Sequence, residues 1–227
     1  MYQLYIANKN YSSWSLRPWV LLRELQIPFA EHLIFFGDAA RWNEYRQLSP
    51  SGKVPCLFDG DTTVWDSLAI AEYLAEHHAG VWPTDAAARA WARCAAAEMH
   101  SGFGELRNRC SMSCGVRVKL REFSDALTRD VRRLSELWNE GLTRFGGPFL
   151  ASGTFTAVDA FFAPVAFRIQ SYGLQLDGAA PSYVTRVLNL RSMREWYADA
   201  LKEVIRDPPH EKEMLESTTL LEDLRAQ

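Results

Sequence analysis

The feature that most constrains this chain is a change of hydrophobic rhythm at Trp82-Pro83-Thr84-Asp85. Before it, short aromatic and β-branched runs alternate with helical ones. Residues 2–6, 29–35, 54–58 and 62–65 read as strands. Residues 15–25 and 67–77 repeat apolar positions at helical spacing, and Pro28 stops the first of these helices. Trp42 opens a short helical or irregular piece that ends at Leu48. Asp59-Gly60-Asp61 between two strand-like runs reads as a hairpin turn. The order β-α-β and then β-β-α describes a small α/β unit with a mixed sheet. After the break the strand signal fades. Residues 86–109 read as one long helix and 116–142 as another, ended by Gly146-Gly147-Pro148. Thr156-x-x-Asp159 has the form of a capping box opening an apolar helix that Pro164 should kink. Residues 181–190 and 192–204 are two further helices, and Asp207-Pro208-Pro209 leads into a polar tail. The expected organisation is an α/β domain over residues 1–82 and an all-helical domain over residues 87–227.

Composition narrows the class of partner. Of 227 residues, 48% are hydrophobic and 23% charged, enough to bury a core in each unit. The formal net charge is -3 and no block of like charge stands out, which argues against nucleic-acid and membrane partners. The first residues lack a basic stretch followed by an apolar core, so no signal peptide is expected and a cytoplasmic location follows. Cys56, Cys94, Cys110 and Cys114 show no C-x-x-C pairing and read as reduced thiols, with Cys110 and Cys114 on one face of a helix. His77 and His78 are adjacent and His32 and His210 isolated, so no metal site is expected.

Chemistry concentrates in the first domain. Tyr11-Ser12-Ser13-Trp14-Ser15-Leu16-Arg17-Pro18 occupies the first strand-to-helix turn. Hydroxyl residues here can cap the helix, but there are more serines than one cap needs. A Ser15 cap would put Pro18 in the first turn, where its missing N–H costs little, and leave Ser12 and Ser13 free to face a ligand. Val54-Pro55 interrupts a strand-like run. Proline cannot donate to a ladder, so either an edge strand or a cis bond is required. If Val54 is freed from the sheet, its backbone groups can pair with an extended peptide. Asp66-Ser67 precedes a helix. One of the two caps it; alternatively its free N–H groups and the Ser67 hydroxyl bind a carboxylate while Asp66 pairs with an ammonium group.

Taken together, Tyr-Ser-Ser-Trp-Ser-Leu-Arg-Pro-Trp, Ser-Gly-Lys-Val-Pro-Cys-Leu, Trp-Asp-Ser-Leu-Ala-Ile-Ala-Glu-Tyr-Leu and Phe-Thr-Ala-Val-Asp-Ala-Phe-Phe-Ala-Pro resemble the motifs of cytosolic glutathione transferases. The resemblance spans the chain, in order, and is nearest to the serine-type, zeta-like bacterial branch. It implies a thioredoxin-like N-terminal domain followed by an all-helical C-terminal domain, a homodimer, and glutathione as co-substrate with a small electrophile as partner. Ser12 matches the thiol-activating serine, with Ser13 the next candidate. Lys53, Val54, Pro55, Asp66 and Ser67 match the glutathione-binding positions. Zeta-class turns carry cysteine where this chain has Trp14, and Arg168 lies about one turn before the arginine that zeta enzymes use for a dicarboxylate, so that role is not carried over. The electrophile would sit against Trp14 and against His100, Phe103 and Arg107, which share one face if residues 86–109 form a single helix. The scaffold would also suit a glutathione-dependent isomerase, peroxidase or dehalogenase, or a non-catalytic interaction protein.

Overall fold

The computed structural model of the chain describes residues 1–37 and 39–226. The first domain runs β1 (Tyr2–Ile6), α1 (Ser13–Glu24), β2 (Phe29–Leu33), α2 (Ala39–Leu48), β3 (Cys56–Asp59), β4 (Thr62–Trp65) and α3 (Ser67–His77). Its sheet has the order β2-β1-β3-β4. β1 and β2 are parallel, and β3 is antiparallel to both β1 and β4. The β3–β4 connection turns through Gly60, at φ 55, a value glycine adopts without steric cost. Leu4 and Ile6 of β1 are fully buried, and so are Leu16 and Val20 of α1 and Ile70 and Leu74 of α3. This is the small α/β unit with a mixed sheet that the alternating pattern predicts, and the thioredoxin-like domain that the resemblance implies.

The second domain contains α4 (Ala86–Ser101), α5 (Gly104–Arg109), β5 (Val116–Leu120), α6 (Asp125–Arg144), α7 (Ala157–Tyr172), α8 (Ala180–Leu188), α9 (Arg191–Lys202), α10 (Pro208–Ser217) and β6 (Thr218–Asp223). It is mainly but not wholly helical. β5 and β6 pair antiparallel across the domain. The expected helix over 116–142 is therefore strand β5 followed by α6, which Ser124 caps by accepting the Leu127 N–H at 3.2 Å. The reason lies in Val116-Arg117-Val118-Lys119-Leu120, which alternates with period two and buries Val116 and Val118. Likewise the expected polar tail folds as α10 and β6. Cys110 and Cys114 lie outside any helix, at the end of α5 and before β5, and both are buried.

α7 is the axis of the second domain. Every residue from Ala157 to Ile169 is buried, and all but Asp159 and Arg168 are apolar, as suits a helix enclosed by neighbours. It continues through Pro164. At its start Asp159 accepts the Thr156 and Leu150 N–H groups, each at 3.0 Å, and the Tyr183 hydroxyl at 2.9 Å. Burial pushes the Asp159 carboxyl up to about 6, against the opposing pull of those hydrogen bonds.

The domains are joined below the β1–α1 loop. Lys9 is buried and bridges Glu31 at 2.7 Å and Asp199 at 2.8 Å, with its ammonium 5.1 Å from the Trp19 ring and 5.4 Å from the Trp196 ring. Glu203 accepts the Lys9 N–H at 2.6 Å and the Asn10 N–H at 3.1 Å. The loop leading to Ser12 is thus held by α9 and the segment after it. Among the described residues, no helix is long and apolar enough to cross a membrane.

Candidate functional site

The turn after β1 places its serines differently from the expectation. α1 begins at Ser13, not after a Ser15 cap. Ser15 lies in the first turn, fully buried, and its Oγ accepts the Ala7 N–H at 3.2 Å and the Ser12 hydroxyl at 2.7 Å. Ser12 holds the cap position but its side chain makes no cap bond. Pro18 consequently falls inside the helix and removes the bond to the Trp14 carbonyl. Ser13 Oγ accepts from Arg168 Nη2 at 3.3 Å. Ser12 and Ser13 both border a cleft of about 550 Å³ between the domains.

The second and third motifs meet the first at Trp14. The Val54-Pro55 bond is cis. β3 starts only at Cys56, so Val54 and Pro55 lie ahead of the ladder. At the start of α3, Asp66 has φ 74 and its Oδ1 accepts the Leu68 N–H at 2.8 Å. A non-glycine residue there is strained by about 1–3 kcal/mol, and such residues cluster at ligand sites. Ser67 is buried, and its Oγ accepts from Arg17 Nη1 at 3.3 Å. A second cleft, of about 420 Å³, is lined by Ser51, Lys53, Val54, Pro55, Asp66 and Ser67, with Trp14 and Trp65 as its aromatic walls. It shares Trp14, Lys53 and Val54 with the interdomain cleft.

Positive charge collects behind this wall. The Arg17 guanidinium lies 4.1 Å from the Trp14 ring and 4.8 Å from the Phe161 ring, and Arg107 lies 5.2 Å from Trp14. Arg168 is buried beside Ser13, with its Nε bonded to the Cys110 carbonyl at 2.8 Å. Burial, then repulsion from Arg168 and Arg107, lowers Arg17 to about 9. Burial is also the main cause that lowers Arg168 to about 10. Both stay cationic at neutral pH, and together they favour an anion at the mouth of α1. Among the described residues, no group of three or more His, Cys, Asp or Glu side chains is placed to hold a metal ion.

Residues 11–77, which carry all three motifs, match the family described as Glutathione S-transferase, N-terminal domain. Over that stretch the chain is similar to the N-terminal domain of glutathione S-transferases. The solved structure of a glutathione transferase homologue from Burkholderia gl BGR1, with bound glutathione, aligns with a TM-score of 0.66 at 23% identity over 88% of this chain and 97% of that one. A glutathione S-transferase from Rhodospirillum rubrum F11 aligns with a TM-score of 0.63 at 20% identity, covering 92% and 97% of the two chains. At these identities the likeness is one of fold. Among curated proteins, the dichloromethane dehalogenase of Methylorubrum extorquens is 41% identical over 63 residues, 26% of this chain and 22% of that protein. The glutathione S-transferase-like protein OpS6 of Beauveria bassiana is 27% identical over 174 residues, 71% of this chain and 76% of that one. The chain thus spans about a fifth of the dehalogenase it matches.

Within this glutathione S-transferase fold, the expected electrophile wall is only partly assembled. α4 ends at Ser101, and the chain breaks at Gly102-Phe103 before α5. A side chain at Gly102 would press on the Glu98 carbonyl, and Phe103 is left-handed at φ 53. His100, Phe103 and Arg107 therefore do not share one helix face. Arg107 and Trp14 border the interdomain cleft. His100 instead stands edge-on to Trp14, ring centres 5.1 Å apart, with its Nε2 3.7 Å from Asp66 Oδ2. Phe103 is buried in the core.

The cleft has a side that the motifs did not announce. His210 and Glu213 of α10 border it. The His210 ring stacks 5.3 Å from Tyr11 and 4.9 Å from Phe36, while the Tyr11 hydroxyl donates to Glu211 at 2.6 Å. α10 is held there by Arg225, which pairs with Glu211 and Asp223. No local pattern marks these residues as lining a site, because their place depends on β6 pairing with β5. Arg168 carries a faint signal, as the one basic residue of a largely apolar helix.

Proposed function

We propose that the chain is a glutathione transferase in which a hydroxyl of the Ser12–Ser13 turn keeps the glutathione sulfur as a thiolate for attack on a small electrophile. The observation that supports this most is the convergence at Trp14 of three segments distant in sequence, forming two connected clefts. The smaller cleft suits the tripeptide. Ser67 and the α3 N-terminus would take the γ-glutamyl carboxylate, and Asp66 its ammonium group. The Val54 backbone would pair with the cysteinyl unit, and Lys53 would face the glycyl carboxylate. The sulfur then reaches the α1 mouth, and the electrophile fills the larger cleft against Trp14 and Arg107.

The energetics suffice without a metal or a general base. A free thiol of pKa about 8.5 is about 3% ionised at pH 7, and about 75% ionised if the pKa falls to about 6.5. That change needs about 2.7 kcal/mol. A hydrogen bond to a charged acceptor contributes about 1.5–3 kcal/mol, and a helix N-terminus about 0.3–1 kcal/mol. The thiol proton leaves to solvent, the sulfur lone pair forms the S–C bond, and the leaving group departs with its electrons. The serine stays protonated throughout.

Calorimetry with glutathione tests the reading. Wild type should bind at millimolar concentration or below. Replacing both Ser12 and Ser13 by alanine should leave affinity within a few-fold while turnover at pH 6.5 falls at least tenfold. A wild type that does not bind glutathione sinks the proposal. The 63-residue match to a dichloromethane dehalogenase favours one second reading, displacement of halide from a small haloalkane, which chloride release from dichloromethane would detect. The transferase is expected to work as a cytoplasmic homodimer; sedimentation giving only the 25.8 kDa mass of one chain would exclude the dimer.

A further inference from the structure

Ser12 and Ser13 both border the interdomain cleft, but their hydroxyls are committed in opposite directions. Ser12 Oγ donates to Ser15 Oγ at 2.7 Å, so its proton points into the protein. Ser13 Oγ acts as an acceptor, taking Nη2–H of Arg168 at 3.3 Å, which leaves its proton for a ligand. Arg168 is fixed in turn: its Nε donates to the Cys110 carbonyl at 2.8 Å, and it forms no ion pair with a carboxylate among the described residues. A hydroxyl that accepts from a cation becomes a stronger donor, because the two bonds polarise one another.

We infer that Ser13, rather than Ser12, donates the hydrogen bond that holds glutathione as a thiolate, and that Arg168 is the positioning residue that orients and polarises it across the domain interface. The inference rests on the glutathione reading above. It makes thiol activation a joint property of the two domains, since the donor stands on α1 and its polariser on α7. No bond to Ser13 breaks. The thiol proton goes to solvent, and Arg168 keeps its charge throughout. The role of Ser12 is then to close the hydrogen-bonded turn through Ser15, which keeps the Ser13 position in register at the start of α1.

The test is an ultraviolet titration of thiolate absorbance in the glutathione complex of the full chain. Wild type is compared with Ser12→Ala, Ser13→Ala, Arg168→Met and Arg168→Lys, each with calorimetric affinity alongside. Ser13→Ala should raise the thiol pKa by about one to two pH units, the loss expected for one hydrogen bond to a charged acceptor. Ser12→Ala should raise it less. Arg168→Met should shift it in the same direction as Ser13→Ala, and Arg168→Lys should recover part of the shift. Turnover should fall with little change in glutathione KM, and the deficit should close near pH 9, where the thiol ionises unaided. A larger rise for Ser12→Ala than for Ser13→Ala overturns the assignment. An Arg168→Met protein with lowered thermal stability but unmoved thiol pKa reduces Arg168 to an interdomain contact and overturns its role. If Arg168→Met fails to fold, Ser13→Ala against Ser12→Ala still decides the donor. A wild type that binds no glutathione overturns the functional reading itself, an outcome that calorimetry separates from the others.

Discussion

His100 shows how burial and neighbouring charge set the behaviour of one side chain. Burial, with Arg17 and Arg107 nearby, lowers its pKa, and only Asp66 opposes them. Its Nδ1 is buried and has no hydrogen-bond partner among the described residues. A histidine whose folded pKa is depressed is stabilising above its unfolded value of about 6.5, and that contribution is lost as pH falls. Urea midpoints at pH 5.5 and 7.5 should therefore converge in His100→Asn relative to wild type. Asp159 is the acidic counterpart, a carboxylate whose burial is compensated by partners from two other segments. Asp159→Ala strands the Leu150 and Thr156 N–H groups and the Tyr183 hydroxyl. At about 1–3 kcal/mol for each buried unsatisfied group, the loss in thermal unfolding should be about 3 kcal/mol or more. The matching signal was legible as Thr156-x-x-Asp159, because a capping box acts over three residues. The contacts to Leu150 and Tyr183 were not legible, because they join segments that only the fold brings together.

At the scale of elements, local propensity and tertiary contact compete visibly in α6. Gly141 sits inside this helix, where alanine would be favoured by about 1 kcal/mol. A Cβ there would meet Trp91 Cη2 at 2.4 Å and the Leu150 carbonyl oxygen at 2.5 Å. Overpacking costs about 1–3 kcal/mol, so Gly141→Ala should lower stability, measured by chemical denaturation, despite its better propensity. β5 shows the same competition from the other side. Its alternation was present in Val116-Arg117-Val118-Lys119-Leu120, but it lay between helical runs and its partner β6 is far along the chain. Helical spacing predicted α4 and α5 as one element because Gly102 is tolerated by any helix pattern; the break follows from the left-handed Phe103.

The whole molecule depends on how its halves meet. Lys9 carries that junction, with acidic partners from β2 and α9 and the aromatic rings of Trp19 and Trp196 around it. Lys9 is buried, but Glu31 and Asp199 keep part of their surface in water, so Lys9→Met leaves no carboxylate stranded in the core and should destabilise the protein by about 1–3 kcal/mol and loosen the loop carrying Ser12. Activity should fall with stability, and thermal unfolding should broaden as the halves lose cooperativity. The sequence alone determined what acts over short range. The strand and helix periods, the hairpin at Asp59-Gly60-Asp61, the proline ahead of β3 and the hydroxyl and acidic residues at two helix starts all depend on neighbours a few positions apart. They sufficed for a small α/β domain with a mixed sheet and for singling out Ser12–Ser13, Val54–Pro55 and Asp66–Ser67 as candidates; the thioredoxin-like fold came from the resemblance of the motifs taken together. Tertiary structure decided the rest. Which hydroxyl proton is free depends on Arg168, a residue of the other domain. Which side chains close the cleft depends on α10, whose position is fixed by β6 and Arg225. Hydrogen bonds and charges act over a few ångströms in space whatever the separation along the chain, so these features had no local pattern to reveal them.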